Sequence, residues 1–317
     1  MSGVDELSDL IARYPELKAL AAERDEYKAK LQAYVPHFAG LGDIPPGHFY
    51  SPIPSLDDVR KEEGRLFDTT HKSMPGVDLR EDEQLRLLQR FAGQYYDGMP
   101  FQARKVENLR YYFENPMFSY GDAISLYSMI RHLKPRQIVE VGSGFSSAVA
   151  LDTNDLFFNG QIQTTFIEPY NERLLSLLNP QDKGKSNIVE SLVQDVDLDV
   201  FSSLDENDIL FVDSTHVSKI GSDVNRLFFE VLPSLAKGVY VHFHDIFLPF
   251  EYPSQWIYEG RAWNEAYVLR AFMQYNQTFE VVLMNAFMGM RHGDFFRQKM
   301  PLFMNNTGGS FWIRKTE

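Results

Sequence analysis

The 317-residue chain has no cysteine, which excludes disulfides, thiolate zinc sites and a cysteine nucleophile. No apolar run approaches ~18 residues, the length at which a helix begins to span a bilayer, so no membrane-crossing helix is expected. Positive charge is scarce: 31 Lys and Arg stand against 44 Asp and Glu, a formal net charge of -13. That excess repels phosphate backbones and anionic lipid, so nucleic acid and membranes are disfavoured as partners. The run Met1-Ser2-Gly3-Val4-Asp5-Glu6 lacks the basic start and apolar centre of a secretion signal, and the expected compartment is the cytoplasm. There is no internal repeat and no low-complexity tract. With 44% hydrophobic and 14% aromatic residues the composition is that of an ordinary globular protein, long enough for one sizeable core and an appendage.

The richest stretch is Gln137-Ile138-Val139-Glu140-Val141-Gly142-Ser143-Gly144-Phe145-Ser146-Ser147. An apolar run closes on an acid, and small residues then lead into a helix-like segment. A strand that turns sharply through two glycines exposes bare backbone at the mouth of a parallel sheet, where open α/β folds bind nucleotides. A dinucleotide fingerprint would place a third glycine three residues after the second; Ser147 stands there instead. Glu140 sets a carboxylate where a pyrophosphate is repelled and a sulfonium attracted. These residues favour S-adenosylmethionine as the cofactor, carried by the turn of Gly142, Gly144 and Ser146. A second run, Thr164 to Ile167, ends in Glu168, an acid placed to accept hydrogen bonds from both ribose hydroxyls. Asp195 follows a third run, Asn187 to Glu190, within reach of an adenine amino group.

Two later runs carry a second constellation. Asp208-Ile209-Leu210-Phe211-Val212-Asp213 reads as a fourth strand ending in an acid, with His216 three residues beyond, and Lys237 to Phe243 reads as a fifth leading into His244-Asp245. In a parallel sheet both strands end on the cofactor edge, so Asp213, His244 and Asp245 can converge. Two carboxylates and an imidazole suit one divalent cation with open positions for substrate oxygens. His242, on the same face as His244, reads as a packed core residue. Taken singly, Asp213 could be a helix N-cap and His216 an exposed loop residue.

The ordered acids and glycine turn resemble the class I S-adenosylmethionine-dependent methyltransferases. The second constellation resembles the metal-dependent O-methyltransferases, the catechol type and more closely the sugar- and macrolide-modifying type. The resemblance covers about Tyr111 to Arg314. It implies a Rossmann-like, doubly wound α/β sheet of seven strands, the last antiparallel. It also implies a divalent metal, Mg²⁺ foremost, held by Asp213, His244 and Asp245, with Asp213 and His216 catalytic and His216 as proton acceptor. The relatives carry an acidic pair after the fifth strand where this chain has His244-Asp245. The implied reaction is methyl transfer to a hydroxyl of a small-molecule acceptor, a sugar or natural-product diol. Two other readings stay open: a metal-dependent hydrolase or oxygenase using the His-x-His-Asp run, and a non-catalytic cofactor-binding or scaffold protein.

Residues 1–110 read as a helical N-terminal extension and 111–317 as the methyltransferase domain. From Glu6 to Tyr34 a stripe of Leu7, Leu10, Ile11, Tyr14, Leu17, Leu20, Tyr27 and Leu31 predicts a helix, one that either self-associates into a homo-oligomer or lies on its own catalytic domain. Gly40 to Pro54 is a linker or flap. Helices are expected over Leu79–Phe91, Ala103–Phe113, Ala123–Leu133 and from Arg261 to Phe272. The aromatic run Tyr111 to Asp122 covers the cofactor, as the resemblance to the sugar-modifying enzymes implies, or else packs in the core. The long connection Pro249 to Trp256 is expected to bound the acceptor pocket, and Phe279–Leu283 and Ser310–Arg314 complete the sheet.

Overall fold

Short continuous runs of Val, Ile, Leu and Phe form strands here because both faces of the sheet are covered, so the apolar pattern need not alternate. In the computed structural model, which describes residues 14–38, 44–70, 73–179, 182 and 184–317, they are β1 (Gln137–Val141), β2 (Gln163–Ile167), β3 (Asn187–Val189), β4 (Ile209–Val212), β5 (Tyr240–Phe243), β6 (Phe279–Met284) and β7 (Phe311–Lys315). Their order across the sheet is β3-β2-β1-β4-β5-β7-β6. The first five are parallel, and β7 runs antiparallel to both β5 and β6. This is the doubly wound seven-stranded sheet expected from the sequence. Successive strands leave β1 in opposite directions, so a crevice opens outside the ends of β1 and β4.

The chain's contacts divide it into two units, Met1–Lys61 and Glu62–Glu317. The first contains α1 (Pro15–Phe38), which opens on a proline at its first turn, where a missing N–H costs nothing. Of its expected stripe, Leu7, Leu10 and Ile11 lie outside the described residues, while Leu20 and Tyr27 are exposed. In the same unit the Gly47 N–H donates to Ile53 O at 3.0 Å, closing a turn in the proline-rich passage.

The second unit holds the sheet and its helices, including α2 (Glu81–Gln94), α3 (Tyr120–Leu133) and α4 (Phe145–Phe158). The division at Lys61 therefore falls well before residue 110. α2 buries Leu88 and Phe91, and the Met284 N–H at the end of β6 donates to Gln84 Oε1 at 2.7 Å. α3 lies inside the unit with eleven of its residues buried, Asp122 among them, and that carboxylate accepts from Ser310 N (2.9 Å) and Ser310 Oγ (2.6 Å) at the foot of β7.

The helix expected over Ala103–Phe113 is absent; the segment is loop. The reason is tertiary. The N–H groups of Arg110 and Tyr111, which a helix would turn back on its own carbonyls, donate to the Asp152 carboxylate of α4 at 2.9 and 2.8 Å. The Arg110 guanidinium then binds Asp152, Asp155 and Asp182 while only 3% exposed. The carboxylates outweigh burial and hold the arginine firmly cationic. Removing one member of such a buried cluster strands the others. Arg110→Ala should therefore cost about 3 to 5 kcal/mol in a denaturant titration, whereas Arg104→Ala, at an exposed loop position, should change stability by less than about 0.5 kcal/mol.

Candidate functional site

At the end of β1 the chain turns at Gly142, whose φ is +79°. Its N–H donates to Ile167 O at 3.0 Å, and the Asp213 N–H donates to Val141 O at 2.8 Å. A Cβ on Gly142 would lie 1.9 Å from Asp213 O, so no other residue fits without moving the end of β4. Ser147, standing where a third glycine was sought, accepts the Gly144 N–H on its Oγ at 3.0 Å and so caps α4. The Glu168 carboxylate accepts from Ser143 N (3.1 Å) and Tyr170 N (2.9 Å), which places its charge beside the turn.

A cavity of about 500 Å³ opens over this turn, within the range usual for small-ligand sites. Gly142, Ser143, Gly144, Ser146, Glu168, Asp213, His216, His244 and Asp245 all line it, and Met117, Phe118, Trp256 and Trp263 add an apolar wall. The aromatic run before α3 thus serves both readings: Tyr111 and Phe113 are buried against Phe101, while Phe118 reaches the cavity. Ser143 Oγ is buried and has no protein partner, a hydroxyl free for a ligand. Two expected residues lie elsewhere. Glu140 sits beneath the turn, 1% exposed, and accepts from Ser146 Oγ. Burial pushes its carboxyl up to about 8, so it is neutral at pH 7 rather than the anion the sequence suggests. Asp195, in a turn after β3, is exposed and is not on the cavity wall.

His216 is the centre of the site. It is 5% exposed and held at φ +60°, a conformation a non-glycine residue adopts only when its surroundings impose it. Its Nδ1 meets Glu265 Oε2 at 2.8 Å, and its Nε2 lies 3.3 Å from Asp213 Oδ1 and 3.7 Å from Asp245 Oδ2. Burial alone would lower its pKa, but hydrogen bonds to Asp213 and Glu265 raise it well above 6.5. The three carboxylates around the ring thus favour its protonated form, and the neutral ring that can accept a proton is populated as pH rises through that raised pKa. Asp213 responds in kind: burial pulls up, His244 and His216 outweigh it, and its pKa falls.

Glu265 escaped the sequence reading because it sits inside a stretch that reads as helix. The helix (α5, Glu265–Met273) begins only there, four residues later than expected, since the Asn264 and Glu265 N–H groups donate to His216 O at 2.9 and 3.1 Å. Asp122 was likewise missed; burial pushes it up to about 6 near His244 and Asp245. His242 is core, as read: it stacks on Phe211 at 3.9 Å, bonds Ser310 Oγ through Nε2 at 3.0 Å, and is held neutral by burial. That removes the His-x-His-Asp run as a ligand set. His244 Nδ1 is buried without a partner, and its Nε2 lies 3.5 Å from Asp245 Oδ1.

A divalent ion does not fit these donors as they stand. Among the described residues no group of three or more His, Asp or Glu side chains has the arrangement of a metal site. The His216 ring stands beside both acids, with Nε2 3.3 Å from Asp213 Oδ1 and 3.7 Å from Asp245 Oδ2.

A family model described as a methyltransferase domain matches residues 139–246, from β1 through Asp245. An uncharacterised protein of Archaeoglobus fulgidus is 40% identical over 169 residues, 52% of this chain and 75% of that protein. Among solved structures, the SAH-bound methyltransferase PaMTH1 of Podospora anserina is 14% identical, with 84% of this chain and 99% of that one covered and a TM-score of 0.42. An apo structure of CmcI is 19% identical over 89% of this chain and 95% of that one, with a TM-score of 0.39. The O-methyltransferase TomG of Streptomyces achromogenes, solved with SAM and involved in tomaymycin synthesis, is 12% identical over 83% and 97%, with a TM-score of 0.40.

The buried acid at Glu140 has a measurable consequence. A carboxyl whose pKa is raised on folding keeps its proton in the native state while the unfolded chain loses it, so stability falls as pH rises from about 4.5 to about 8. Glu140→Gln removes that ionisation. Its stability relative to wild type should grow by on the order of 3 to 5 kcal/mol between pH 4.5 and 8; an equal difference in urea titrations at the two pH values would show that Glu140 is already ionised in the fold.

Proposed function

We propose that this chain is a class I S-adenosylmethionine-dependent methyltransferase that methylates a hydroxyl oxygen of a small-molecule acceptor, with His216 taking the proton. The observation that carries this reading is the juxtaposition, in one cavity, of the Gly142 turn and Glu168 with a histidine whose Nδ1 is braced by Glu265 at 2.8 Å and whose Nε2 lies 3.3 Å from Asp213, another residue of the cavity wall. The acceptor we propose is a diol of sugar or natural-product type, which suits a wall that is polar at Asp213 and Asp245 and aromatic at Trp256 and Trp263.

When bound, S-adenosylmethionine supplies a methyl group on a sulfonium whose sulfur leaves as a neutral thioether. The chain's own residues do the rest. Gly142 and Gly144 bring bare backbone to the cofactor, Ser143 Oγ offers it a hydrogen bond, and Glu168 is placed to accept from ribose hydroxyls. Glu265 holds the His216 ring in one orientation, so Nε2 is aimed where an acceptor hydroxyl would lie. Asp213 and Asp245 stabilise the imidazolium that results from taking the acceptor's proton. Phe118, Trp256 and Trp263 exclude water around the reacting oxygen. No step is assigned to a divalent ion at Asp213, His244 and Asp245.

Titration calorimetry with S-adenosylhomocysteine tests the cofactor half. Glu168→Ala should weaken binding by about 1.5 to 3 kcal/mol, and an unchanged affinity in a folded variant defeats the assignment. The catalytic half is tested by rate. His216→Ala should lose about 10²- to 10⁴-fold in turnover with cofactor affinity near normal. Since the carboxylates raise the His216 pKa, turnover should rise with pH through an apparent pKa above 6.5. Glu265→Gln, which removes one raising partner, should move that limb to lower pH. Methyl transfer in excess EDTA should match that with added Mg²⁺; a strict requirement for the ion would return Asp213, His244 and Asp245 to the role of ligands.

A further inference from the structure

Arg261 stands on the same aromatic wall as His216 and has no part in the chemistry above. Its guanidinium carbon lies 4.4 Å from the Trp256 ring centroid and 5.0 Å from that of Trp263, and the His216 ring in turn packs on Trp263 with centroids 4.3 Å apart. Those last two distances put the cation no more than about 9.3 Å from the imidazole ring. All four side chains line the cavity.

The position is built rather than accidental. Gly260, at φ +88°, turns the chain so that the Arg261 N–H donates to Trp256 O at 3.0 Å. Three residues on, Asn264 is clamped to the His216 loop, its Oδ1 accepting from Ser218 N at 2.6 Å. A single loop thus carries the brace of the proton acceptor, its aromatic wall and a fixed cation. Among the described residues the guanidinium pairs with Glu259, at 3.1 Å, and both side chains are more than a third exposed. Such a pair is worth little in water and leaves N–H groups of the planar fork open to another acceptor. The other arginine on the wall, Arg173, lies over Gly144 on the side of the glycine turn, with its Cδ 3.1 Å from where a Cβ of that residue would be.

We propose that Arg261 anchors an anionic group of the acceptor, a carboxylate or phosphate, in the same cavity as the His216 ring that takes the hydroxyl proton. The proposal rests on the methyltransferase reading and names the acceptor's class: a hydroxylated small anion rather than a neutral diol. Stacking on two indoles restricts the guanidinium, so less freedom is lost when it meets an oxyanion.

The test uses the full chain saturated with S-adenosylhomocysteine and two matched diols, 3,4-dihydroxybenzoate and its neutral methyl ester, titrated by calorimetry. Wild type should bind the carboxylate at least about tenfold more tightly than the ester, and Arg261→Gln should bring that ratio to within about twofold of unity. Affinity for S-adenosylhomocysteine, unchanged in the variant, reports that it is folded. A ratio near unity in wild type, or no binding of either diol, overturns the proposal, as does a ratio that survives Arg261→Gln. If Arg261→Gln instead weakens S-adenosylhomocysteine binding about tenfold, the guanidinium serves the cofactor's own carboxylate and the proposal also falls. Failure of wild type to bind S-adenosylhomocysteine would defeat the methyltransferase reading itself, a result separate from all of these.

Discussion

The site depends on how closely the ends of β1 and β4 approach. With the Asp213 N–H on Val141 O at 2.8 Å and no room for a Cβ at Gly142, the two strand ends form a single rigid edge. Everything that follows is hung from it. Glu168 reaches across from β2 to the Ser143 N–H, and α4 starts from the same turn. Asp213 leads into the loop that presents His216. Because strands on either side of this edge depart in opposite directions, no helix crosses it, and the space above stays open as the cavity.

Electrostatics then determine what that cavity can do. Burial penalises charge there, yet Asp213 and His216 are both shifted toward their charged forms, Asp213 by His244 and His216, and His216 by Asp213 and Glu265. Glu140, one layer below, has no cation beside it and is driven the other way. Two acids only a few residues from one strand edge thus end with opposite behaviour, set by partners rather than by residue type. The left-handed backbone at both His216 (φ +60°) and Asp245 (φ +58°) belongs to the same arrangement: loops after β4 and β5 bend back so that their polar side chains face one another.

Local pattern placed the strands, while the seven-stranded sheet and its antiparallel last strand were what the family resemblance implied. Each of the seven strands coincides with an apolar run closed by a turn signal, and the glycine turn, Glu168, Asp213, His216, His244 and Asp245 all reach the cavity because strand ends in a parallel sheet share an edge. Three things were beyond it. The segment 103–113 has helical spacing, but Asp152 and Arg110 capture its backbone. Asp195 has the spacing of a cofactor acid, but the turn after β3 leaves it exposed. Glu265 looks like an ordinary residue in the first turn of a helix, 49 residues from His216 in sequence and 2.8 Å away in space.

The sequence by itself determined the order of strands and turns, and with it which residues stand at the sheet's open edge, since those follow from periodicity and short-range sterics. Only the tertiary structure decided charge: which acid is buried without a counter-charge, which is paired with one, and which histidine is drawn toward its charged form. Those depend on groups brought together from distant parts of the chain, where desolvation and a counter-ion a few ångströms away compete, and neither leaves a mark on local pattern.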